Sequence, residues 1–191
     1  LESKPSYIGL LLTKNQEEES ARPPQNSDDF YKVGVIGKII QSNDPGKGEP
    51  IHLILQILER FEVVNMISVT PIFRAKVEYW YTAEMEKNEE LRAYALSIID
   101  CIKELIQLKP LLQEELNLLM GRLRASDSGT LSDFAAFMTS ASGAELQNVL
   151  ETKSIRSRIE KVLILLKKDL EISKLKVRIN KRIEERLSAQ Q

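Results

Sequence analysis

Two kinds of hydrophobic spacing divide this chain near Tyr81. Before it the apolar positions come in short runs or alternate with polar ones, as in half-buried strands. Tyr7–Thr13 is a compact apolar run, and Val33, Val35 and Ile39 alternate along Val33–Ile40. His52–Phe61, Val63–Val69 and Ile72–Tyr81 are predicted as three further strands. In the last of these Phe73, Ala75, Val77, Tyr79 and Tyr81 share one face, and Arg74, Lys76, Glu78 and Trp80 the other. The polar, acidic stretch Asn15–Asp29 reads as a loop, and Ser42–Pro50 as a turn through Asn43, Asp44, Pro45 and Gly46.

After Tyr81 the spacing becomes helical. Thr82 is a plausible N-cap, and Leu91, Tyr94, Ala95, Ile98, Ile102 and Leu105 form one stripe. Lys109-Pro110 ends that helix and starts another along Leu111, Leu112, Leu116, Leu119 and Leu123. Thr130 with Asp133 and Ser142 with Glu145 have capping-box spacing, so two short helices are expected there. From Ser154 the chain runs to Gln191 without Gly or Pro, a helix of about 55 Å. Its first part, with Ile155, Ile159 and Val162–Leu166, is apolar nearly all round and is expected inside a bundle. Beyond Lys174 only Leu175, Ile179, Ile183 and Leu187 remain, a narrow stripe that asks for a coiled-coil partner or further chain. Strands followed by helices define an α+β chain. The expected boundaries are 1–82 for the β-rich part and 83–191 for the helical bundle, with the long projecting helix from about 154. That helix has no stop signal before Gln191, so the chain reads as a piece of a longer protein.

With 42% hydrophobic residues in 191, a core of ordinary size is available, and no apolar stretch is long enough to span a bilayer. The single Cys101 sits on an apolar helical face and reads as core; alone, it fits a reducing compartment. The net charge of −1 conceals a gradient: from Glu151 onward twelve Lys or Arg face six Asp or Glu, a net +6, which leaves −7 on the rest. A solvated face meeting an acidic neighbour is the ordinary reading of such a basic helix. Nucleic acid is not expected as a partner, because no aromatic residues interleave with the basic ones to stack on bases.

Searching for reactive chemistry yields little. His52, the lone histidine, has no Cys or second His at ligand spacing and reads as a strand residue. Pro45-Gly46-Lys47-Gly48 lacks the second Gly-Lys and the Ser or Thr of a phosphate loop, and reads as a hairpin turn. Glu17, Glu18 and Glu19 read as solvated charge rather than a metal site. No triad or paired-carboxylate arrangement can be assembled from neighbouring elements, so no catalytic, metal or cofactor residues are assigned.

In order, Tyr7–Lys14, then Asp29–Ile40 with its Tyr31-Lys32-Val33-Gly34 core, then Glu145–Glu151 and Leu165–Leu175, resemble the N-terminal region of the Lon family of ATP-dependent serine proteases. Two departures stand out. The family's glycine in the strand ending at the arginine matched by Arg60 is Ile57 here, and the family's first strand and helix precede Tyr7. The resemblance implies an incomplete PUA-like β-barrel joined to a helical bundle, a non-catalytic part that recognises unfolded or damaged protein. In the family, ATP with Mg, the phosphate loop and the Ser-Lys dyad belong to downstream parts. It also implies neighbouring subunits in a homohexamer, and a bacterial cytoplasm, or alternatively a mitochondrial matrix. Substrate contact is expected at an apolar set comprising Met66, Pro71, Ile72, Trp80 and Met85, since such residues match what an unfolded chain exposes. Leu175, Ile179, Ile183 and Leu187 are the expected stalk or subunit contacts. RNA binding, suggested by the PUA-like likeness, is the weakest reading; it predicts affinity that falls steeply with salt.

Overall fold

The computed structural model describes residues 6–14, 24, 26–43, 46, 48–68, 72–80, 89–108, 113–121 and 127–189. The chain divides into two compact units, Leu1–Ala83 and Glu84–Gln191.

The first unit is a four-stranded antiparallel sheet in sequence order, β1 (Tyr7–Leu10), β2 (Val33–Asn43), β3 (His52–Ser68) and β4 (Arg74–Trp80). Among the described residues it does not close into a barrel. The two strands expected over His52–Phe61 and Val63–Val69 are one, because Glu62 simply takes its place in the ladder between Val33 and Glu78. What the strand does instead of breaking is bulge. Register shifts fall between Val63 and Asn65 and between Met66 and Ser68, each adding a β3 residue without a partner on β4. A further shift between Val35 and Gly37 lies opposite Ile57–Arg60, so the ladder is irregular there although the family's glycine is replaced by Ile57. The β2–β3 turn has left-handed backbone at Gly46 (φ 76°) and Gly48 (φ 82°), as a glycine-bearing hairpin turn requires.

Phe61 and Val33 are the buried hydrophobic residues of this unit among the described residues, at 4% and 5% exposure. The Phe61 ring lies over two glycines of neighbouring strands. A Cβ on Gly9 would stand 3.2 Å from Phe61 Cζ, and one on Gly34 would meet Phe61 Cζ at 3.1 Å, Leu11 Cδ2 at 2.7 Å and the Leu10 carbonyl oxygen in outright collision. The loop leaving β1 is held by Tyr31 N–H donating to Leu12 O (2.9 Å) and Lys14 N–H to Asp29 O (2.8 Å), beside a bridge between Thr13 and Phe30. Most of the expected acidic loop, including Glu17–Glu19, lies outside the described residues; its end forms a short 3-10 turn at Ser27–Asp29.

The second unit is helical: α1 (Glu89–Gln107), α2 (Gln113–Met120), α3 (Ser128–Phe137), α4 (Gly143–Leu150) and α5 (Ile155–Ser188). Its core is built from one face of each of three helices. Leu91, Ala95, Ile98, Ile102, Leu105 and Ile106 come from α1, and Leu131, Ala135 and Ala136 from α3. From α5 come Ile155, Ile159, Val162, Leu163, Leu166 and Leu170, with Val149 of α4 closing the cluster. The α1 stripe thus packs as its spacing predicts, with Tyr94 only partly buried. The expected cap Thr82 lies outside the described residues, as do Lys109-Pro110, Leu111, Leu112 and Leu123.

Local signals fix several helix ends. Ser142 and Glu145 form the expected reciprocal box: Ser142 N–H donates to Glu145 Oε2 (2.8 Å) and Glu145 N–H to Ser142 Oγ (3.3 Å). Ser154 caps α5 by accepting from Ser157 N–H (3.4 Å). The Thr130 cap is corrected, because Asp127 takes that role and Thr130 N–H is itself the donor to Asp127 Oδ1 (3.0 Å). Two buried charges then pin the connections. Arg158 donates through Nε and Nη2 to Thr152 O, both at 3.1 Å, and Asp169 accepts from the Ser140 N–H (3.3 Å) and the Ser140 hydroxyl.

The expectation that Ile155–Leu166 is buried all round is also corrected. Ile164 is 67% exposed, because α5 meets its neighbours along one side only and Ile164 points away from that side.

Candidate functional site

Strand pairing decides which apolar side chains can act together. On β4, which has no bulge, Ala75, Val77 and Tyr79 share one face, and Arg74, Lys76, Glu78 and Trp80 the other. Met66 pairs with Ala75 and so lies on the Tyr79 face near the β3–β4 turn. Trp80 pairs with Arg60 and lies on the opposite face, about 17 Å away along the strand at 3.3 Å per residue. The extra residue at Val64 causes this separation: without it, Met66 and Arg60 would share a face. Met66 and Trp80 are both half-buried and do not form one patch.

Ile72 lies at the same end of the sheet as Met66. It follows the β3–β4 turn and is 62% exposed, next to the exposed Phe73, whose ring meets Phe30 edge-on with centroids 5.1 Å apart. Pro71 and Met85 lie outside the described residues. Sequence reasoning missed two neighbours at this end of the sheet, Val64 and Ile67, the latter 69% exposed. Both are residues that the β3 bulges leave without partners on β4, and no local sequence pattern marks them.

A second apolar region occupies the other end of β3. There Leu53, Ile54, Ile57 and Leu58 are all exposed, in a stretch with almost no polar residue to set a face. His52 pairs with Asn43 at the tip of this hairpin and is exposed, as a strand residue would be.

The proposed stalk residues form one exposed strip on α5. Leu170 is the last buried residue of the helix, and Lys174 Nζ makes an ion pair with Glu104 Oε1 of α1 at 2.6 Å. Beyond it Leu175, Ile179, Ile183 and Leu187 are 45–61% exposed, over about three further turns to the helix end.

Electrostatics at the described groups is structural. The Glu145 carboxyl is held below its ordinary value near 4.5 by the Ser142 backbone N–H, then by the Ser142 hydroxyl and the Lys168 ammonium. Burial pushes the half-buried Cys101 thiol up, which disfavours the reactive thiolate. Among the described residues no group of three or more His, Cys, Asp or Glu is placed to hold a metal ion, and no helix is long and apolar enough to cross a membrane.

An antiparallel sheet followed by a helical bundle, with apolar side chains displayed on the sheet and no assembled reactive constellation among the described residues, defines a β-then-α binding module. The solved N-terminal domain of Lon protease from the Mycobacterium avium complex has the same fold: TM-score 0.58 at 20% identity, over 85% of this chain and 90% of that one. The model of the ATP-dependent protease La (Lon) substrate-binding domain matches residues 1–168, and the chain belongs to that family. That match covers most of the chain. Lon protease 1 of Syntrophotalea carbinolica is 41% identical over 96% of this chain, and Lon protease 2 of Hydrogenovibrio crunogenus is 38% identical over all of it. The chain spans only about a fifth of the length of these bacterial relatives, 22% and 21%.

Proposed function

We propose that the sheet unit recruits unfolded or damaged protein for a Lon-type ATP-dependent protease, through apolar side chains that a folded client has no complement for. The observation that carries this reading is the cluster at the β3–β4 end: Ile67 and Ile72 stand more than 60% exposed beside Met66 and Phe73. Isolated exposed apolar residues are normal on any surface, whereas several at one end of a sheet favour an apolar ligand. Pro71 extends the set in sequence, and Trp80 is a separate contact at the far end of β4. Binding through such a surface is weak and sequence-tolerant, because area contact and not a charged pocket supplies it. In the whole protein ATP and Mg act in other parts of the polypeptide, in a bacterial cytoplasm.

Casein, which lacks a stable fold, and a folded protein of similar size and charge provide the test, titrated against the 191-residue chain. Binding of casein alone is expected, and it should weaken when Ile67 and Ile72 are both replaced by Ser. Equal binding of both proteins, or of neither, overturns the recruiting role.

A second reading concerns α5 and is compatible with the first. The strip Leu175, Ile179, Ile183, Leu187 recurs every four residues along one side of the helix and is exposed throughout, which favours a helical partner from a neighbouring subunit in a homohexamer. Replacing Ile179 and Ile183 by Asp is expected to weaken subunit coupling in the full-length protease while leaving this chain folded. An unchanged assembly contradicts it.

A further inference from the structure

The packed part of α5 shows which kind of helix it accepts. Beside its aliphatic contacts, three of its basic residues each meet a glutamate of a neighbouring helix. Arg156 Nη2 lies 2.7 Å from Glu90 Oε1 of α1, Lys168 Nζ 3.2 Å from Glu145 Oε1 of α4, and Lys174 Nζ 2.6 Å from Glu104 Oε1 of α1. All three pairs are exposed and individually weak, so they select a neighbour more than they hold it.

The same combination of aliphatic and basic groups continues along the distal helix. At about 100° per residue, Ile172, Leu175, Ile179 and Ile183 fall within an arc of about 80°, on the side away from the buried Ile159, Val162 and Leu166. Their spacing of three, four and four residues is an eleven-residue repeat, close enough to the period of the helix that the stripe winds only slightly. Lys168, Lys176, Arg182 and Arg186 lie in that arc or within about 20° of it, whereas Glu171, Glu184 and Glu185 lie about 40° or more outside it. The face is therefore aliphatic and positive, and its carboxylates are all turned elsewhere. A second α5 matches it poorly: pairing two such faces sets Lys176, Arg182 and Arg186 of one helix among the same residues of the other, with no acid between them.

We propose that this face docks an acidic, aliphatic helix of a neighbouring subunit, and that the neighbour's own α5 is not that helix. The proposal rests on the subunit-coupling reading above and gives the partner its chemistry. The docked helix carries Leu or Ile at the same three-four-four spacing, so that the two stripes stay in contact along a nearly straight pair. Asp or Glu flanks those residues and meets Lys176, Arg182 and Arg186, as Glu90, Glu145 and Glu104 meet α5 within the bundle. Aliphatic burial supplies the affinity, and the one-signed rim rejects basic helices and a second copy of α5.

Three fluorescent peptides, stapled to hold them helical, serve as probes and are titrated against the 191-residue chain. Two carry Leu at three-four-four spacing, flanked by Glu in one and by Lys in the other; the third copies residues 168–189 of α5. The Glu peptide should bind at least tenfold more tightly than either of the others. Replacing Lys176, Arg182 and Arg186 together by Glu should reverse the order of the Glu and Lys peptides, with unchanged helical ellipticity showing that the chain stays folded. Equal binding of the Glu and Lys peptides, tightest binding by the α5 copy, or no binding by any of them overturns the proposal. Subunit coupling is read separately, from assembly of the full-length protease carrying Ile179→Asp and Ile183→Asp. Weakened assembly without discrimination among the peptides sinks the acidic partner alone, whereas unchanged assembly sinks the coupling reading beneath it.

Discussion

Gly34 is where the sheet unit is most sensitive to a single methyl group. It lies in β2 opposite Phe61, and a Cβ there would collide with the Leu10 carbonyl oxygen, with Leu11 Cδ2 at 2.7 Å and Phe61 Cζ at 3.1 Å. The first of these is backbone and cannot rotate away, so Gly34→Ala must push β1 off β2. Overpacking alone costs about 1–3 kcal/mol. Displacing Leu10 also strains the Leu10↔Val35 and Gly9↔Ile36 pairings, half of the four that hold β1. A total of about 3 kcal/mol follows at the upper end of that range. Gly37 in the same strand is the control, because a Cβ there would meet Leu55 Cβ at 3.4 Å and Ile57 Cδ1 at 3.6 Å, ordinary contact. Gly37→Ala should change stability by less than about 1 kcal/mol. The assay is urea unfolding followed by Trp80 fluorescence, which reports the sheet unit because Trp80 is the chain's one tryptophan. With a slope near 1 kcal/mol/M, the Gly34→Ala midpoint should fall by about 3 M and the Gly37→Ala midpoint by less than about 1 M. Equal shifts for the two variants would refute the close-approach argument.

Two other outcomes concern the helical unit. Ile159 is fully buried in α5, and Ile159→Ala should cost about 3–4 kcal/mol by helical ellipticity in urea, whereas Ile164→Ala on the exposed side should cost under about 1 kcal/mol. Glu145 has a folded-state value below its unfolded one, so its stabilisation is present above pH 4.5 and is lost as pH falls through the depressed folded value. Thermal melts of Glu145→Gln should therefore lie below the parent at pH 7 and converge with it as pH falls through that depressed value; a gap that widens in acid contradicts the capping assignment.

How much of this was readable in advance depended on whether the signal was local. The α1 stripe, the Ser142–Glu145 box and the Ser154 cap are contained within one or two helical turns, and the structure has them. Asp127-Ser128-Gly129-Thr130 offers several residues able to cap, and only the placement of Leu131 and Ala135 against α1 and α5 selects Asp127. Ile164 looked buried because its neighbours in sequence are apolar; which side of α5 is covered is set by helices far away in the chain. In the sheet, alternation gave the strands but not their parity. One bulge residue at Val64 moves Met66 to the face opposite Trp80, and no local pattern announces it. The aliphatic run over Leu53–Leu58 is legible as a strand, yet that β4 pairs with β3 only from Arg60 onward is not.

The central claim is that clients are met by the sheet unit. Amide exchange of the chain with and without excess casein tests it most directly. The account predicts slowed exchange confined to the sheet, around Val64–Phe73, with the helices unchanged. Protection on α5 or α1 with none on the sheet would contradict it.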